Sequence, residues 1–274
     1  MRAFRLAYDG TGYRGFQRQP HGETVEDAVF DALRDLNLEV EVDGAPTGYA
    51  AAGRTDAGVS ARAQTVAFET PAWLTPRAFN GELPADVRAW AHADVDGSFH
   101  ATHHAVERRY RYFLYAADTD IERARTAAER LSGTHDFHNF TPDETGTERD
   151  LTMAVERDGE FFVVDCSASG FARQLVRRLV SALELIATGE RDVRFLDRAL
   201  SDEPLSGGDG IPPAPPEPLV LMDVRYPSVD FAVDEEAAAS AREVFERRRR
   251  ERLSGARVAG SLAPDAPVAE NGDR

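Results

Sequence analysis

The first third of the chain alternates short apolar runs with one helical pattern. Four runs have the period of two or the continuous apolar character typical of strands, and they are Arg2–Tyr8 and residues 38–42, 64–68 and 86–92. Between the first two runs, apolar residues recur with the helical period after a capping-box-like pair, Thr24 and Asp27. A second helix is predicted to begin at Thr75-Pro76, because proline is favoured in the first turn.

A comparable set of elements follows after Phe99. The predicted strands are residues 109–115, 151–157, 160–168 and 219–226, and the predicted helices are residues 120–131, 171–189 and 192–200. Asp158-Gly159 predicts a hairpin between the second and third of these strands. Strands adjacent in sequence, mixed with helices in each half, predict an α+β fold with antiparallel sheet.

These patterns divide the chain into three parts. An N-terminal α+β half is expected at residues 1–105, a C-terminal α+β half at 106–231, and a charged segment at 232–274. The charged segment is predicted to be a helix over residues 232–252, followed by a disordered tail from Ser254. Its arginine run, residues 247–250, is interpreted as a solvated helix end, with RNA contact as the alternative.

Two glycine-rich loops are candidates for chemistry. Residues 53–61, Gly-Arg-Thr-Asp-Ala-Gly-Val-Ser-Ala, precede a strand and would present Arg54 and Asp56 at the mouth of a sheet. The alternative is an ordinary turn into that strand. Residues 9–19 interleave arginines, Arg14 and Arg18, with aromatic side chains, which suits an RNA backbone and exposed bases. The alternative is a long surface loop.

The charge of the chain changes this picture. Its 274 residues carry 32 Lys+Arg against 48 Asp+Glu, for a net charge of −16, and lysine does not occur. An acidic chain argues against a nucleic-acid partner unless arginines cluster locally, as they do at these motifs. The composition also suggests adaptation to high salt, where self-repulsion is screened.

Cysteine content and hydropathy limit the cellular compartments in which the protein is expected. The single cysteine, Cys166, excludes an intrachain disulfide and fits a reducing cytoplasm. No apolar run is long enough to span a bilayer, and the N-terminus lacks the apolar core of a signal peptide. A soluble cytoplasmic protein without a membrane partner is therefore expected.

Several motifs together resemble one family. Residues 53–61 are similar to the signature loop of the tRNA pseudouridine synthase A family (TruA), although that family usually has His where this chain has Ser60. The resemblance continues in order, over about residues 1–230, through residues 8–19, 99–101, 108–112, 133–137, 175–177 and 224–227. On the basis of these motifs, the chain is identified as a member of the family.

The resemblance implies a fold, an activity and partners. It implies two halves that each resemble a ferredoxin or RNA-recognition fold, with antiparallel sheets joined across a central cleft. It implies isomerisation of uridine to pseudouridine in the anticodon stem and loop of tRNA, at tRNA positions 38–40. It further implies a homodimer in which one tRNA contacts both subunits, with no metal and no organic cofactor.

The implied reaction needs particular groups. The bond from N1 to C1′ breaks, and uracil turns and rejoins through C5. An extruded nucleotide, a carboxylate, an aromatic ring and a cation that keeps the carboxylate ionised are required. By resemblance, Asp56 is the catalytic Asp, Tyr110 the active-site Tyr and Arg177 the Arg that pairs with Asp56. Attack at C1′, attack at uracil C6 and removal of the C2′ proton by Asp56 all stay open.

Further arginines are candidates for substrate binding. They are Arg14, Arg18, Arg54, Arg109 and Arg173. Arg173 and Arg177 are predicted to share one face of the helix at residues 171–189, away from its apolar arc. Arg54 has two interpretations, because it would either contact phosphate or brace the loop.

Two rival functions remain. A metal enzyme is suggested by His100, His103 and His104, and by the spacing of His135 and His138. Against it, no His-Glu-x-x-His occurs and the only cysteine is distant. A catalytically silent RNA-binding module is the other rival, and the presence of Asp56, Tyr110 and Arg177 together argues against it.

Overall fold

A computed structural model describes residues 1–38, 44–117 and 119–262. Most of the strand predicted at residues 38–42 therefore lies outside the described residues. The strands are β1 (Arg2–Tyr8), β2 (Ala50–Ala51), β3 (Ser60–Phe68), β4 (Val87–Asp94), β5 (Glu107–Tyr115), β6 (Gly133–Asp136), β7 (Glu148–Asp158), β8 (Phe161–Ala168), β9 (Leu219–Arg225) and β10 (Ala232–Val233). The helices are α1 (Val25–Asp35), α2 (Pro76–Phe79), α3 (Ile121–Leu131), α4 (Leu175–Ala187), α5 (Arg194–Ala199) and α6 (Glu235–Leu262).

All described strands form one sheet. Its order is β10-β4-β1-β3-β9-β5-β8-β7-β6, and β2 pairs with β3 outside this path. The pairings are antiparallel except that of β3 with β9, in which Ser60 lies opposite Val220. Since β9 pairs with β5 on its other side, it joins the strands of the two halves. The predicted α+β class with mainly antiparallel sheet is confirmed.

Two apolar clusters cover this sheet. One is built around Phe4, Phe68 and Leu33, and the other around Phe162 and Leu179. β9 contributes to both, with Leu221 and Val224 in the first cluster and Leu219 in the second. The division at residues 105 and 231 stays a prediction, and Val59, which lies before residue 105, packs in the second cluster.

The strand β1 is buried along its whole length, whereas its alternating pattern predicts one polar face. The end of β9 and the residues that follow it cover that second face. Arg5 donates to the Val224 carbonyl at 2.6 Å, pairs with Asp223 at 3.3 Å, and lies 4.3 Å from the Phe231 ring centroid. An arginine in an alternating strand is thus buried because its charge is partnered.

Local signals at helix and hairpin ends are confirmed. Thr24 and Asp27 form a reciprocal capping box at the start of α1, and α2 carries proline at its N-terminus. The hairpin joining β7 and β8 turns at Gly159, whose φ of +58° suits glycine.

Two helix predictions are wrong at their ends. α4 begins at Leu175, because Gln174 adopts a left-handed conformation with φ +61° and interrupts the pattern that began at residue 171. The C-terminal helix begins at Glu235 instead of residue 232, since Ala232 and Val233 pair with β4. It also continues through Ser254 to Leu262, where a disordered tail was predicted. Residues 263–274 lie outside the described residues.

The predictions about membrane spans and about Cys166 concern the helices and strand β8 of this fold. Among the described residues, no helix is long and apolar enough to cross a membrane. Cys166 is a free buried thiol on β8, and burial raises its pKa to about 12. A thiol with so high a pKa is protonated and unreactive at neutral pH.

Candidate active site

A cleft with a volume of about 1760 Å³ opens in the described structure. It lies where the loop between β2 and β3 meets β5 and the N-terminus of α4. The predicted site residues that line it are Arg14, Arg18, Arg54, Asp56, Tyr110, Arg173 and Arg177. Arg109 is the predicted site residue that does not line it.

The loop that carries Asp56 is tied to the sheet by buried polar groups. The Thr55 hydroxyl lies 2.7 Å from the Tyr8 hydroxyl, and the Thr55 carbonyl accepts a hydrogen bond from the Phe16 amide at 3.1 Å. The Gln64 side chain donates to the Gly53 carbonyl at 2.8 Å. After Asp56, the Gly58 amide donates to the Tyr13 carbonyl at 3.2 Å. Because the chain is held on both sides of Asp56, its backbone is preorganised relative to the cleft.

A close backbone approach explains one glycine. A Cβ on Gly10 would lie 2.0 Å from the Val59 carbonyl oxygen, so any side chain there would displace the loop. The Gly10 amide donates to the Ser60 Oγ at 3.0 Å. Ser60, the residue that departs from the family pattern, therefore accepts a backbone hydrogen bond that links the two glycine-rich loops.

Asp56 and Arg177 form an ion pair across the cleft. Arg177 Nη1 donates to Asp56 Oδ2 at 3.1 Å, although the two residues are 121 positions apart in sequence. The Arg177 side chain is 13% exposed and that of Asp56 is 32% exposed. The carboxylate is thus paired on one side and open to the cleft on the other, which is the arrangement needed by a nucleophile or base.

The loop before β9 positions Arg177, and sequence reasoning did not identify it. Arg177 Nε donates to the Ala214 carbonyl at 2.6 Å, and the Ala214 amide donates to the Arg177 carbonyl at 3.1 Å. In the same loop, Pro216 packs over Gly58 so closely that a Cβ on Gly58 would lie 2.9 Å from it. The proline-rich composition indicated a loop, but no local signal indicated contact with the site.

Tyr110 lies on β5 beside this ion pair. Its ring meets the Phe171 ring edge-on, with centroids 5.2 Å apart and planes at 88°. Burial raises the pKa of Tyr110 to about 12, and the charge of Asp56 adds to the effect while Arg108 opposes it. Tyr110 is therefore a neutral phenol at physiological pH, whose hydroxyl can both accept and donate a proton.

The pleat of β5 places Arg109 away from the cleft, and its role in substrate binding stays a prediction. Side chains alternate along a strand, so Arg108 and Tyr110 share a face and Arg109 lies on the other. Arg108 Nη2 donates to the Ala52 carbonyl at 2.7 Å and to the Thr102 carbonyl at 2.9 Å. Arg108 thus braces β5 against the segment that leads into the catalytic loop, a role that the Arg-Arg-Tyr motif alone could not assign.

The remaining arginines line the rim of the cleft. Arg14 pairs with Glu23 at 2.8 Å, Arg18 with Asp27 at 3.0 Å and Arg173 with Asp143 at 3.3 Å. Arg54 is exposed and has no ion pair among the described residues. Arg173 precedes α4, so it does not share a helical face with Arg177, contrary to the prediction.

The cleft differs in charge from the rest of the chain. Its lining contains five arginines against three carboxylates, Glu26, Asp56 and Asp143. The whole chain, by contrast, carries −16. With Glu23 and Asp27, which pair with Arg14 and Arg18, the five arginines face five carboxylates. The cleft is therefore close to neutral in an otherwise acidic protein and repels an anionic ligand less than the rest of the surface.

The histidine clusters do not form a metal site in the described part of the chain. There, no group of three or more His, Cys, Asp or Glu side chains is placed to hold a metal ion. His104 Nδ1 accepts the His100 amide at 2.9 Å, and His100 Nδ1 accepts the Thr102 amide at 3.2 Å. These ring nitrogens are occupied by backbone hydrogen bonds within a local turn.

Known proteins resemble the chain at two levels. A family model described as tRNA pseudouridine synthase matches residues 127–227. A protein of Natronomonas pharaonis named tRNA pseudouridine synthase A is 70% identical over 266 residues, covering 96% of this chain and 99% of that protein. A protein of the same name from Haloarcula marismortui is 59% identical over 271 residues, covering 96% and 98%.

A solved structure is a weaker match. The archaeal box H/ACA sRNP Nop10-Cbf5 complex aligns with a TM-score of 0.35 and 17% identity, covering 66% of this chain and 44% of the matched chain.

Proposed function

The chain belongs to the tRNA pseudouridine synthase A family, and we propose that it isomerises uridine in the anticodon stem and loop of tRNA, with Asp56 as its catalytic carboxylate. It is a tRNA pseudouridine synthase and therefore an isomerase. The observation that carries the proposed site is the ion pair of 3.1 Å between Asp56 and Arg177 in an arginine-lined cleft.

The reaction can proceed with side chains alone. The C1′–N1 bond breaks and a C1′–C5 bond forms, while C5 loses a proton and N1 gains one, so product and substrate are isomers. No oxidant, reductant or carried group is needed, and the proposed enzyme uses no cofactor and no metal. The carboxylate of Asp56 serves either as nucleophile, at C1′ or at uracil C6, or as base at C2′.

The other residues of the cleft have proposed roles around that step. The target uridine must leave its stack to enter the cleft, where the ring of Tyr110 stacks on the uracil and its hydroxyl handles the C5 proton. Arg177 is a positioning residue, because its guanidinium pairs with the Asp56 carboxylate at 3.1 Å and orients it. Arg14, Arg18, Arg54 and Arg173 at the cleft contact phosphates of the tRNA.

The substrate assignment is tested by mapping pseudouridine in tRNA. In a strain deleted for this gene, pseudouridine is expected to disappear from the anticodon stem and loop and to return when the gene is restored. The map also identifies which neighbouring uridines are modified. An unchanged map in the deletion strain contradicts the assignment, and a change confined to another arm of tRNA contradicts the anticodon specificity.

Tyr110→Phe separates the two roles given to Tyr110. The variant retains an aromatic ring, so tRNA affinity is expected to stay close to that of the wild type. Loss of the hydroxyl is expected to slow pseudouridine formation about 10²-fold, the lower end of general acid–base effects. Release of a hydrogen label from uracil C5 under single-turnover conditions measures the step, and Tyr112→Phe on the same strand is the control. If the variant released the label at the wild-type rate, the Tyr110 hydroxyl would have no role in proton transfer, and stacking on uracil would be the one proposed role left for Tyr110.

A homodimer is proposed, in which one tRNA contacts both subunits. Large aromatic side chains stay exposed on the described surface, among them Phe113, Tyr115 and Phe161, with 40%, 61% and 42% exposure. The rings of Tyr115 and Phe161 contact each other at 5.6 Å between centroids. Such an exposed apolar patch is typical of an interface. Light scattering of the active enzyme tests the proposal, and a monomer with full activity contradicts it.

The protein is also proposed to act in the cytoplasm and to be adapted to high salt. Its 48 acidic residues repel one another over about 10 Å in 0.1 M salt but only about 3 Å in 1 M salt. The melting temperature is therefore expected to rise between dilute buffer and molar KCl. Equal melting temperatures in the two buffers would contradict the adaptation.

A further inference from the structure

The C-terminal helix α6 runs along the sheet towards the end that carries Asp56. It starts beside β4, where the Asp234 amide donates to the Trp90 carbonyl at 3.0 Å. Its buried side chains are Ala237, Ala238, Ala241 and Val244, all in its first half. From residue 249 onward every residue of the helix is exposed.

Two arginines fasten the middle of α6 to a buried carboxylate. Asp9 Oδ2 accepts from Arg248 Nη1 at 2.7 Å and from Arg252 Nη2 at 2.6 Å, and the Asp9 side chain is 4% exposed. Burial alone would raise the pKa of Asp9, but hydrogen bonds from Arg252 and Thr11 bring it below its ordinary value. Arg248 also pairs with Asp86 at 3.5 Å.

This attachment places the helix at the same end of the sheet as the catalytic loop. Asp9 follows β1 directly, Asp86 precedes β4, and the catalytic loop precedes β3. β1 is antiparallel to both neighbours, with Tyr8 opposite Ala61 on one side and Val87 on the other. The end of β1 and the starts of β3 and β4 therefore coincide.

The last turns of α6 project beyond that end of the sheet. Residues 253–262 are all exposed, and at 1.5 Å per residue they extend about 15 Å. Between residues 247 and 257 the helix carries six arginines and one glutamate. The net charge of this segment is positive, whereas the net charge of the whole chain is −16.

Three of these arginines lie off the helix face that contacts the sheet. At 3.6 residues per turn, Arg250 and Arg257 lie opposite Arg248 and Arg252. Arg247 lies about 60–80° from Arg250 and Arg257, on the flank of the helix where its charge acts on Arg88. Arg247 and Arg257 have no carboxylate partner in the described part of the chain, and Arg250 has a pair of 3.7 Å with Glu246. We call these three residues the outer arginines.

We infer that the outer arginines of α6 are a second contact surface for the phosphate backbone of the tRNA, outside the cleft. The inference rests on the tRNA substrate of the proposed function. Arginines grouped on a projecting helix, two of them without an ion pair among the described residues, recruit phosphates and release counterions. A tRNA whose uridine occupies the cleft extends well beyond it. Asp9, which holds α6, is outside the cleft lining but only five residues before Arg14, which belongs to that lining.

The test replaces the outer arginines together, as Arg247→Gln, Arg250→Gln and Arg257→Gln. The matched control carries Arg123→Gln, Arg125→Gln and Arg130→Gln, three exposed arginines of α3 that do not line the cleft. Both variants lose the same charge. Affinity for a tRNA transcript is measured over a KCl series in which the melting temperature is constant, and each variant is checked for melting temperature and oligomeric state.

The outer-arginine variant is expected to bind tRNA at least about tenfold more weakly, with a salt dependence of log Kd shallower by about 2 to 3. The control is expected to keep the wild-type slope. The corresponding Arg→Lys triple variant is expected to restore the slope, because lysine also neutralises phosphate.

Three outcomes would overturn the inference. They are an unchanged salt slope in the outer-arginine variant, an equal loss in the control, and a changed oligomeric state with unchanged tRNA affinity. The last outcome would make α6 a protein contact, for which the exposed Val258 and Leu262 would be the candidates. If the wild-type enzyme binds tRNA but forms no pseudouridine, the proposed function fails while this comparison of affinities still stands.

Discussion

Replacing Asp56 with asparagine is expected to slow pseudouridine formation more than 10⁴-fold, because an amide can act neither as nucleophile nor as base. Asparagine keeps the size of the side chain and still accepts a hydrogen bond from Arg177, whose Nη1 lies 3.1 Å from Asp56 Oδ2. It also suits the local turn, in which the Val59 amide donates to the Asp56 carbonyl at 3.1 Å. The variant therefore removes the charge with little change of shape.

The measurement is single-turnover conversion of tRNA with saturating enzyme, so that affinity does not limit the rate. Asp165→Asn is the matched control, because Asp165 forms a comparable ion pair with Arg111 at 2.7 Å and is 33% exposed but does not line the cleft. The control is expected to stay within about threefold of the wild-type rate, as a surface ion pair contributes little. An Asp56→Asn rate within about tenfold of the wild type would show that the wrong residue was named.

Local sequence signals predict the elements of this fold well where each element is defined by its own residues. The capping box of Thr24 and Asp27 marks the start of α1, and Asp158-Gly159 marks the hairpin of β7 and β8. The start of α4 is different, because Gln174 adopts a left-handed conformation that its residue type does not require. The end of α6 does not follow from residue type, because the helix continues through Gly255 and Gly260, whose helix propensity is low.

The site is harder to predict because its contacts are long-range. Asp56 and Arg177 were paired by resemblance to a family, and no spacing in the chain indicates that they meet. The support of Arg177 by Ala214 and the packing of Pro216 on Gly58 depend on how the loop before β9 folds back. Which of Arg108 and Arg109 points towards the catalytic loop depends on which face of β5 meets the cleft, and both residues are arginine.

Charge was the least predictable property from composition. A net charge of −16 argues against an RNA substrate, yet the cleft lining has more arginines than carboxylates and the end of α6 is basic. Contacts with phosphate depend on the charges that lie within about one Debye length, which is about 8 Å at physiological ionic strength. The acidic residues elsewhere on the surface therefore have little influence on the cleft.

Arg177→Met is expected to reduce single-turnover pseudouridine formation about 10³-fold, the size of effect seen when one preorganised charge is removed from an active site. Methionine fills much of the same space, but it donates neither to Asp56 nor to the Ala214 carbonyl, which Arg177 Nε contacts at 2.6 Å. Ala214 is buried, so its unsatisfied carbonyl is expected to cost about 1–3 kcal/mol of unfolding free energy.

Arg177→Lys tests which property of the arginine matters. Lysine restores a positive charge near Asp56, but it lacks the planar guanidinium that donates to both Asp56 and the Ala214 carbonyl. We expect pseudouridine formation by Arg177→Lys to be about tenfold faster than by Arg177→Met, with a melting temperature between those of Arg177→Met and the wild type.

Arg111→Met is the control for removing an arginine from an ion pair, and its rate of pseudouridine formation is expected to stay near that of the wild type. If Arg177→Met lowered the melting temperature but left the rate of the folded enzyme unchanged, Arg177 would support the loop before β9 and not the carboxylate. A fall in rate that Arg177→Lys partly reverses requires the charge itself to act on Asp56.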